Sequence, residues 1–408
     1  MVKKISVIGC GYVGSPLLTS FFEAGVDVVG FDLNMDSQFV SEIVSKGIAV
    51  SDDPSILDES DVFIVCVPTP IDESRLPDLT HCLEACKIVA RFLDYGSLVV
   101  FESTVFPGAS RQRFIPELEV GSKLEASKDF FVGYSPERIN PGDSEHSLKN
   151  VAKLVSGCCG ASLRMVKDLY AKIMPEELVI PVSSLEVAES SKVLENIQRD
   201  VNIALVNEFQ LLAKRINISA SEVIEAAATK WNFYRVYPGL VGGHCISVDP
   251  YYLKLLANEL EVEVPILDSA RRVNEGMVNR VIGEVFQWLR KAPLPGKIYF
   301  VGIAFKPNVS DTRNSKYFEV LDKLGDEEES EFHIVDSCVD EHAKFQGRDI
   351  IHRLTQITFE STDRVILGCP HDTHRKEILQ LISDGVVRPD NVYSIHRIEG
   401  LSCETFFE

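Results

Sequence analysis

The amino-acid sequence predicts an α/β fold in which two doubly wound parallel sheets are joined by a long central helix. The chain has 408 residues, and at roughly 100–200 residues per domain it should form two or three domains. Near both ends, short apolar and β-branched runs alternate with longer amphipathic segments, which is typical of βαβ units. In the middle, helical periodicity continues from residue 183 to about residue 214 without Gly or Pro.

These patterns also predict the individual elements. Strands are expected where short runs are rich in β-branched residues, at residues 5–8, 26–31, 62–67, 98–101, 130–132, 298–301, 332–335 and 364–367. Ser183 and Glu186 have the spacing of a capping box, which predicts that the central helix begins there. Further helices are expected at residues 219–228 and 269–289, and a Pro-containing linker at residues 292–296. The predicted domains are residues 1–182, 183–291 and 292–408.

Charge and composition exclude several classes of function. The formal net charge is −20, so a nucleic-acid surface is not expected, because phosphate binding needs a basic footprint. No apolar run approaches the roughly 18 residues of a membrane span, and the first apolar stretch ends at Gly9, too early for a signal core. Ten scattered cysteines in a large chain indicate thiols and a cytoplasmic protein.

A glycine-rich turn follows the first predicted strand and opens a helix. It reads GCGYVG at residues 9–14, and this context is typical of dinucleotide binding. Gly9 permits the tight turn, Gly11 allows a pyrophosphate to approach, and Gly14 allows the helix to pack closely. Asp32 ends the second strand, where a carboxylate accepts from ribose hydroxyls, and this favours NAD over NADP. A flavin, another nucleotide or an unliganded turn are the alternatives.

The loop at residues 242–249, GGHCISVD, is the most informative for chemistry. Two glycines before Cys245 give a backbone that a substrate can approach, and a thiolate suits oxidation to the acyl level. Asp249 is a candidate base toward a hydrolytic water. We expect the loop to be accessible. The alternative is that Cys245 is a small buried hydrophobic residue.

Other candidate residues lie at strand ends and on the central helix. The loops at residues 67–70 and 102–108 should face a nicotinamide, and Thr104 offers a hydroxyl there, or only stabilises its turn. Glu137 is a candidate acid/base group or a surface carboxylate. Glu189, Lys192, Asn196 and Arg199 share one helix face, which is either solvated or presents Lys192 and Asn196 to an oxyanion.

Two further groups concern anions and metals. Lys306 and Arg313, in the loop at residues 305–315, could bind an anionic substrate in an otherwise acidic chain. His81, Cys82 and Cys86 lack a fourth ligand in sequence, so we expect a helix face and no metal site.

Together these segments closely resemble the UDP-glucose/GDP-mannose dehydrogenase family over nearly the whole chain. Residues 135–142 and 242–253 look like the branch that acts on UDP-N-acetylhexosamines, most of all the bacterial UDP-N-acetylglucosamine 6-dehydrogenases of polysaccharide pathways. Ser247 stands where that branch usually has Pro. The resemblance implies two Rossmann-like domains, the first for NAD and the last for UDP, around a central dimerisation region, and hence a homodimer or higher oligomer.

The resemblance also implies a reaction. A C6 alcohol is oxidised in two hydride transfers, with two NAD reduced, through a thioester on Cys245. Lys192 and Asn196 stabilise oxyanions, while Asp249 and Glu137, with Thr104, organise water and proton transfer. The implied cofactor-binding residues are Gly9, Gly11, Tyr12, Val13, Gly14, Asp32, Pro68, Thr69 and Thr104. The implied substrate-binding residues are Arg138, Lys192, Asn196, Gly242, His244, Lys306 and Arg313.

Two alternatives remain at this level. One is a UDP-glucose or GDP-mannose 6-dehydrogenase with the same chemistry. The other is a non-catalytic regulator that binds NAD and a nucleotide sugar. The presence of Cys245, Lys192 and Asp249 argues against a regulator, because a pure binding protein has no use for a nucleophile.

Overall fold

The structure is a computed structural model, and it divides into two compact units. The first unit is Met1–Asn196 with Tyr251–Glu263, and the second is Ile197–Pro250 with Val264–Glu408. The described residues are 3–72, 74–138, 150–291, 296–327, 331–340, 344–345 and 347–407. Residues 292–295 of the predicted linker and residues 139–142 of the substrate-type motif lie outside them.

The first unit contains an eight-stranded sheet. Its strands are β1 (Lys4–Ile8), β2 (Asp27–Phe31), β3 (Ala49–Ser51), β4 (Val62–Val65), β5 (Leu98–Phe101), β6 (Phe131–Tyr134), β7 (Lys153–Gly157) and β8 (Val179–Pro181). They lie in the order β3-β2-β1-β4-β5-β6-β7-β8, and only the pair β6–β7 is antiparallel. The order reverses between β1 and β4, and in open α/β sheets ligands bind outside the carboxyl ends of strands at such a point.

Helices cover both faces of this sheet and supply its core. They are α1 (Gly14–Glu23), α2 (Gln38–Ser45), α3 (Thr80–Ala90), α4 (Ile115–Ser122) and α5 (Gly160–Tyr170). Strands β4 and β5 are buried along their whole length, as expected for strands with helices on both faces. Leu17 and Phe21 of α1 and Val166 of α5 are fully buried in the same core.

The second unit contains a seven-stranded sheet. Its strands are β9 (Ile298–Val301), β10 (Phe332–Val335), β11 (Lys344–Phe345), β12 (Arg348–Ile351), β13 (Arg364–Leu367), β14 (Val392–His396) and β15 (Glu404–Phe407). Their order is β11-β12-β10-β9-β13-β14-β15, and only β11–β12 is antiparallel. The order again reverses beside the first strand of the sheet, between β9 and β13.

The remaining helices include the long central one. They are α6 (Leu185–Arg215), α7 (Ala220–Ala227), α8 (Asp249–Glu259), α9 (Pro265–Leu289), α10 (Lys316–Glu327) and α11 (Asp372–Ser383). The first twelve residues of α6 belong to the first unit and the rest to the second. The predicted fold class, two parallel-sheet α/β domains with a long central helix, is therefore confirmed. The three predicted domain boundaries stay predictions.

The predicted capping residue of the central helix is wrong. Helix α6 begins at Leu185, and the Ser184 hydroxyl accepts the backbone N–H of Val187 at 3.3 Å. Ser184 therefore stands at the capping position, directly before the first helical residue. Glu186 does not close a capping box with Ser183, because its carboxylate accepts from Arg111 Nε at 2.6 Å.

The assignment of Ser184 as the capping residue can be tested against the adjacent Ser183. Replacing Ser184 with alanine removes the acceptor of an otherwise unsatisfied helix N–H, so we expect a loss of about 1 kcal/mol in the free energy of unfolding. Replacing Ser183 with alanine should change it by less than about 0.5 kcal/mol, as at an ordinary surface position. Urea denaturation of the two variants measures both effects. An equal or larger loss for Ser183→Ala would restore the original prediction.

Candidate active site

The turn after β1 has the geometry that its glycines predict. Gly9 has φ +90°, a left-handed conformation that a side chain would strain. A Cβ atom on Gly14 would lie 1.9 Å from the carbonyl oxygen of Gly9, so only glycine lets α1 start so close to the strand. A Cβ atom on Gly11 would meet no atom of the described residues within 4 Å. The backbone at Gly11 therefore borders open space beside a helix N-terminus, which fits a bound pyrophosphate.

Asp32 lies against this turn. Its Oδ2 accepts the backbone N–H of Cys10 at 2.6 Å, and its Oδ1 accepts that of Asn34 at 2.8 Å. The side chain is only half-buried. Val13 is also half-buried, and the exposed Tyr12 ring packs edge-on against Phe39. These residues fit a dinucleotide, and the Asp32 carboxylate is fixed beside the turn.

The loops after β4 and β5 are joined by hydrogen bonds. The Thr69 hydroxyl donates to the carbonyl of Thr104 at 2.7 Å, and the Ser103 hydroxyl donates to that of Val67 at 2.6 Å. Pro68 is exposed, while Thr69 and Thr104 are half-buried. The structure thus brings Thr69 and Thr104 together at the carboxyl edge of the first sheet.

A buried ionic cluster at the same edge was not predicted. Glu102 follows β5, and its Oε2 lies 2.7 Å from Nζ of Lys153, the first residue of β7. Lys153 also lies 3.4 Å from Oε2 of Glu137, which follows β6, and the Tyr170 hydroxyl donates to Glu102. A lysine inside the apolar run VAKLV, at residues 151–155, was the available sequence signal.

Arg138 is already engaged by protein groups. Its guanidinium donates to the carbonyl of Ala152 at 2.8 Å and forms an ion pair with Glu195 at 2.8 Å. Both side chains are partly exposed, so the ion pair is accessible to a ligand. Arg138 therefore lies beside Glu137, after the carboxyl end of β6, and its charge is offset by Glu195.

The first turns of α6 are fixed to the loop after β5 by a buried carboxylate. Glu189 accepts the backbone N–H groups of Gly108 at 2.5 Å and Ser110 at 3.0 Å. Burial raises the pKa of Glu189, although these hydrogen bonds act in the opposite direction. The contact links α6 to the segment that starts at Glu102, some 80 residues earlier in the chain.

The face of α6 that carries Lys192 is not a solvated one. Glu189 and Asn196 are buried and Lys192 is half-buried, whereas Arg199 is exposed. The alternative of a fully solvated face is therefore wrong for three of these four residues. Lys192 and Asn196 lie one helical turn apart on the part of α6 that belongs to the first unit.

The cysteine loop belongs to the second unit. Cys245 is exposed, and it is the only exposed member of the ten cysteines. Its carbonyl accepts the backbone N–H groups of Val248 at 3.0 Å and Asp249 at 2.8 Å, so it stands one turn before α8. Gly242 borders Asn314, whose carbonyl oxygen would lie 2.7 Å from a Cβ atom there. The accessibility predicted for the loop holds for Cys245.

Asp249 and Ser247 differ from expectation. Asp249, the first residue of α8, is 1% exposed, so the predicted accessibility is wrong for this residue. Ser247 is also buried, and its hydroxyl donates to the carbonyl of Gly243. A proline at this position, as in the resembling branch, could not donate that hydrogen bond.

His244 is hydrogen-bonded to the loop after β9. His244 Nε2 lies 2.6 Å from Oδ2 of Asp311, and Arg313 donates to both oxygens of the same carboxylate. Burial opposes ionisation of Asp311, but the hydrogen bonds from His244 and Arg313 outweigh it and hold its pKa below the usual range. Arg313 is exposed with its charge offset, and Lys306 is half-buried with Nζ 5.5 Å from the Phe305 ring centroid.

A buried ion pair contacts the backbone of the cysteine loop. Arg271 donates to Oδ1 of Asp200 at 2.7 Å and reaches the carbonyl of Ile246 at 3.5 Å. Asn274 donates to the same oxygen of Asp200 at 2.8 Å. The Arg271 and Asp200 side chains are 4% and 0% exposed. These residues could not be predicted from the sequence, because helical periodicity alone does not distinguish a buried polar position from a surface one.

One group with metal-ligand chemistry occurs among the described residues. Asp336, Cys338 and His371 have ligand atoms within 4.8 Å of one another. The Asp336 carboxylate already accepts hydrogen bonds from His371 Nε2 at 2.8 Å and from the Cys338 N–H at 2.9 Å.

On α3, where a helix face and no metal site were predicted, Cys82 and Cys86 are buried and His81 is exposed. The absence of a metal stays a prediction.

A dinucleotide-type turn at the edge of an α/β sheet indicates a dinucleotide-dependent oxidoreductase. Comparison with known proteins gives the family. Residues 37–174 match the NAD binding domain, residues 186–276 the central domain and residues 299–395 the UDP binding domain of the UDP-glucose/GDP-mannose dehydrogenase family. The chain belongs to this family, as the resemblance predicted, and is an NAD-dependent UDP-sugar dehydrogenase.

Individual relatives agree with this assignment. The protein CapL of Staphylococcus aureus is 36% identical over 411 residues, 95% of each chain. The UDP-N-acetyl-D-glucosamine 6-dehydrogenase of Pseudomonas aeruginosa is 40% identical over 342 residues, 79% of this chain and 80% of that one. The solved structure of a UDP-D-ManNAc dehydrogenase from Pyrococcus horikoshii superposes with a TM-score of 0.84 at 28% identity, over 99% of each chain. Among the described residues, no helix is long and apolar enough to cross a membrane.

The ion pair below the cysteine loop gives a stability test. Replacing Arg271 with methionine leaves the Asp200 carboxylate buried without its cation, which should cost about 3–5 kcal/mol in the free energy of unfolding. The double variant Asp200→Asn/Arg271→Met removes both charges and should recover part of this loss. Chemical denaturation of the two variants measures the difference. Equal losses would mean that the pair does not stabilise the unit through its charges.

Proposed function

We propose that the chain oxidises the C6 hydroxyl of a UDP-N-acetylhexosamine to a carboxylate through a thioester on Cys245. The single observation that carries this proposal is the exposure of Cys245, alone among ten cysteines, on a loop whose surroundings are buried and hydrogen-bonded. A nucleophilic thiol must be reached by its substrate, whereas structural cysteines are buried.

The proposed reaction oxidises C6 twice, and NAD, when bound, accepts a hydride in each oxidation. Between the two oxidations, Sγ of Cys245 adds to the C6 aldehyde. The second oxidation leaves C6 as a thioester, which water hydrolyses to the carboxylate, and this step restores the thiol. We assign Asp249 as the base for that water because it follows Cys245 by one helical turn.

The first unit contributes the remaining groups in this proposal. Lys192 and Asn196 stabilise the oxyanions that form at C6. The position of the buried Asn196 and the half-buried Lys192 on one face of α6 supports this role, because donors act more strongly away from water. Glu137 accepts a proton, and Thr104 supplies a hydroxyl. Hydrogen bonding of Thr104 to Thr69 at a sheet edge supports their assignment to the nicotinamide end.

Cofactor and substrate contacts are assigned in the same way. The backbone from Gly9 to Gly14 holds the pyrophosphate, with Tyr12 and Val13 beside it, and Asp32 accepts from the adenosine ribose. The assignment of Asp32 to the ribose excludes NADP as a cofactor, because the 2′-phosphate of NADP would lie against a fixed carboxylate. Substrate contacts are assigned to Gly242, His244, Lys306 and Arg313, with Arg138 as a further cation.

UDP-N-acetylglucosamine is the proposed substrate, for a bacterial surface polysaccharide. Two relatives support it, the UDP-N-acetyl-D-glucosamine 6-dehydrogenases of Pseudomonas aeruginosa and Salmonella typhi, at 40% and 38% identity. A second candidate is UDP-N-acetylmannosamine. The named UDP-N-acetyl-D-mannosamine dehydrogenase of Methanocaldococcus jannaschii is 32% identical over 91% of this chain. The two sugars differ only at C2, so a few pocket contacts decide between them.

A homodimer stays part of the proposal. Four apolar side chains are exposed along α6, namely Val187, Leu194, Leu205 and Leu212. Apolar side chains on one long helix support a subunit contact.

The cytoplasm, a reducing compartment, is proposed as the location of the protein. All ten cysteines lie within the described residues, and none of them forms a disulfide.

The substrate panel tests the proposed function. Purified protein with NAD should convert UDP-N-acetylglucosamine faster than UDP-N-acetylmannosamine, UDP-N-acetylgalactosamine, UDP-glucose or GDP-mannose. Each molecule converted should yield two NADH and one uronic acid, because the proposed oxidation removes four electrons. Absorbance of NADH and product mass measure both, and NADP in place of NAD should support little turnover.

Each outcome separates one part of the proposal. One NADH per sugar with aldehyde as product would refute the four-electron oxidation. Preference for another sugar nucleotide would refute only the substrate assignment. Equal turnover with NADP would show that Asp32 does not contact the ribose.

A further inference from the structure

Three neighbouring strands of the second sheet end side by side. Strands β10, β9 and β13 are adjacent and parallel, so the loops that follow them start at the same edge. The strand order reverses between β9 and β13, and open α/β sheets bind ligands outside the carboxyl ends of strands at such a point. This sheet lies in the part of the chain that matches the UDP binding domain of the family. We therefore expect the UDP moiety beside these loops.

A buried carboxylate after β10 joins the other two loops. Asp336 Oδ2 accepts the backbone N–H of Ile303, in the loop after β9, at 2.9 Å. Asp336 Oδ1 lies 2.8 Å from Nε2 of His371, in the segment between β13 and α11. The side chains of Asp336 and His371 are almost fully buried. The two contacts therefore fix the His371 ring beside the start of the loop after β9.

The other nitrogen of His371 accepts from the middle of that loop. The backbone N–H of Asn308 donates to His371 Nδ1 at 2.8 Å. Because Nδ1 accepts a hydrogen bond, the proton of the ring lies on Nε2, which donates it to Asp336. Both ring nitrogens are thus engaged, and His371 connects the Asp336 carboxylate to the backbone of Asn308 in one orientation.

Asn308 makes two further contacts with the residue that follows His371. Its Nδ2 donates to Oδ2 of Asp372 at 3.0 Å, and its Oδ1 accepts the backbone N–H of Asp372 at 3.0 Å. Asn308 has φ +62°, a left-handed conformation that asparagine adopts more readily than most residues. Three hydrogen bonds therefore fix the loop after β9 to the start of α11.

The loop that these hydrogen bonds hold carries Lys306, two residues before Asn308. We propose that Asn308 and His371 are positioning residues, which hold this loop in the conformation in which Lys306 receives the diphosphate of UDP. This inference rests on the proposed function, in which Lys306 contacts the substrate. A loop that is already held in its binding conformation loses less conformational entropy when the ligand binds, so the contacts increase affinity without touching the ligand.

The Asn308→Gly variant tests the contacts made by the loop. Glycine adopts a φ of +62° and keeps the backbone N–H, so only the two side-chain hydrogen bonds to Asp372 are lost and the protein should fold. In calorimetric titration of the whole enzyme with UDP, the dissociation constant should rise about fivefold. With the preferred UDP sugar, KM should rise by a similar factor and kcat should change far less, because the diphosphate does not react.

A second variant and a matched control accompany it. His371→Phe keeps a ring of similar shape and removes both nitrogens, while Asp336 keeps its backbone donor at Ile303, and it should also weaken UDP binding. Asn217→Gly makes the same exchange as Asn308→Gly at another exposed, left-handed asparagine of the second unit, with φ +59°. It should bind UDP like the wild type. Binding of NAD should be unchanged in each variant, because the NAD binding domain lies in the first unit.

A double variant separates positioning from a general loss of stability. Lys306→Ala removes the cation that the loop is proposed to place, so it should itself weaken UDP binding. If Asn308 acts by placing Lys306, Asn308→Gly should weaken UDP binding by less than about twofold in the Lys306→Ala protein. The same factor in both backgrounds would mean that Asn308 does not act through Lys306, and the inference would be wrong.

The remaining outcomes overturn different claims. If Asn308→Gly binds UDP as tightly as the wild type while Lys306→Ala binds it weakly, the inference fails alone. If Lys306→Ala binds UDP as tightly as the wild type, the substrate contact assigned to Lys306 fails, and the inference fails with it. Thermal melting identifies the variants that are folded, and Asn308→Gly decides the outcome if His371→Phe is not.

Discussion

Buried charges that must be paired determine where the loops of this enzyme lie. An unpaired carboxylate in a protein interior costs several kcal/mol, so each one fixes the segments that supply its partners. Glu189 holds the start of α6 to Gly108 and Ser110. In the second unit, Asp200 binds Arg271, which reaches the backbone of Ile246 beside the candidate nucleophile. Candidate catalytic residues on both units thus depend on neighbours that do no chemistry themselves.

The parallel sheets explain why these partners come from distant parts of the chain. Parallel strands deliver the loops that follow them to one edge, and each loop is separated from the next by a helix. Glu102 follows β5 at this edge. Lys153 meets it there, although 51 residues separate them, because it is the first residue of β7, which runs antiparallel to β6. The first sheet therefore gathers a dinucleotide-type turn, two hydrogen-bonded loops and an ionic cluster, whereas the cysteine loop is fixed within the second unit.

Local signals in the sequence predicted the fold and the motif residues. Gly9 and Gly14 are required by a turn of six residues, and strands β5, β9, β10 and β13 end where their apolar runs end. Contacts between distant segments could not be predicted, because one sequence carries no record of pairing. Lys153, Glu102 and Asp200 were missed for this reason. The helix cap is Ser184 and not the predicted Ser183, because neighbouring serines offer the same chemistry one residue apart.

The central claim is that Cys245 carries the substrate as an acyl group, and the Cys245→Ser protein tests it most directly. A serine ester is less reactive toward water than a thioester, so an intermediate should accumulate with NAD and the preferred UDP sugar. Intact-protein and peptide mass spectrometry should then find the uronyl group on residue 245, while Cys245→Ala forms neither adduct nor acid. Production of acid by Cys245→Ala at the wild-type rate would contradict the account, and so would an adduct on another residue.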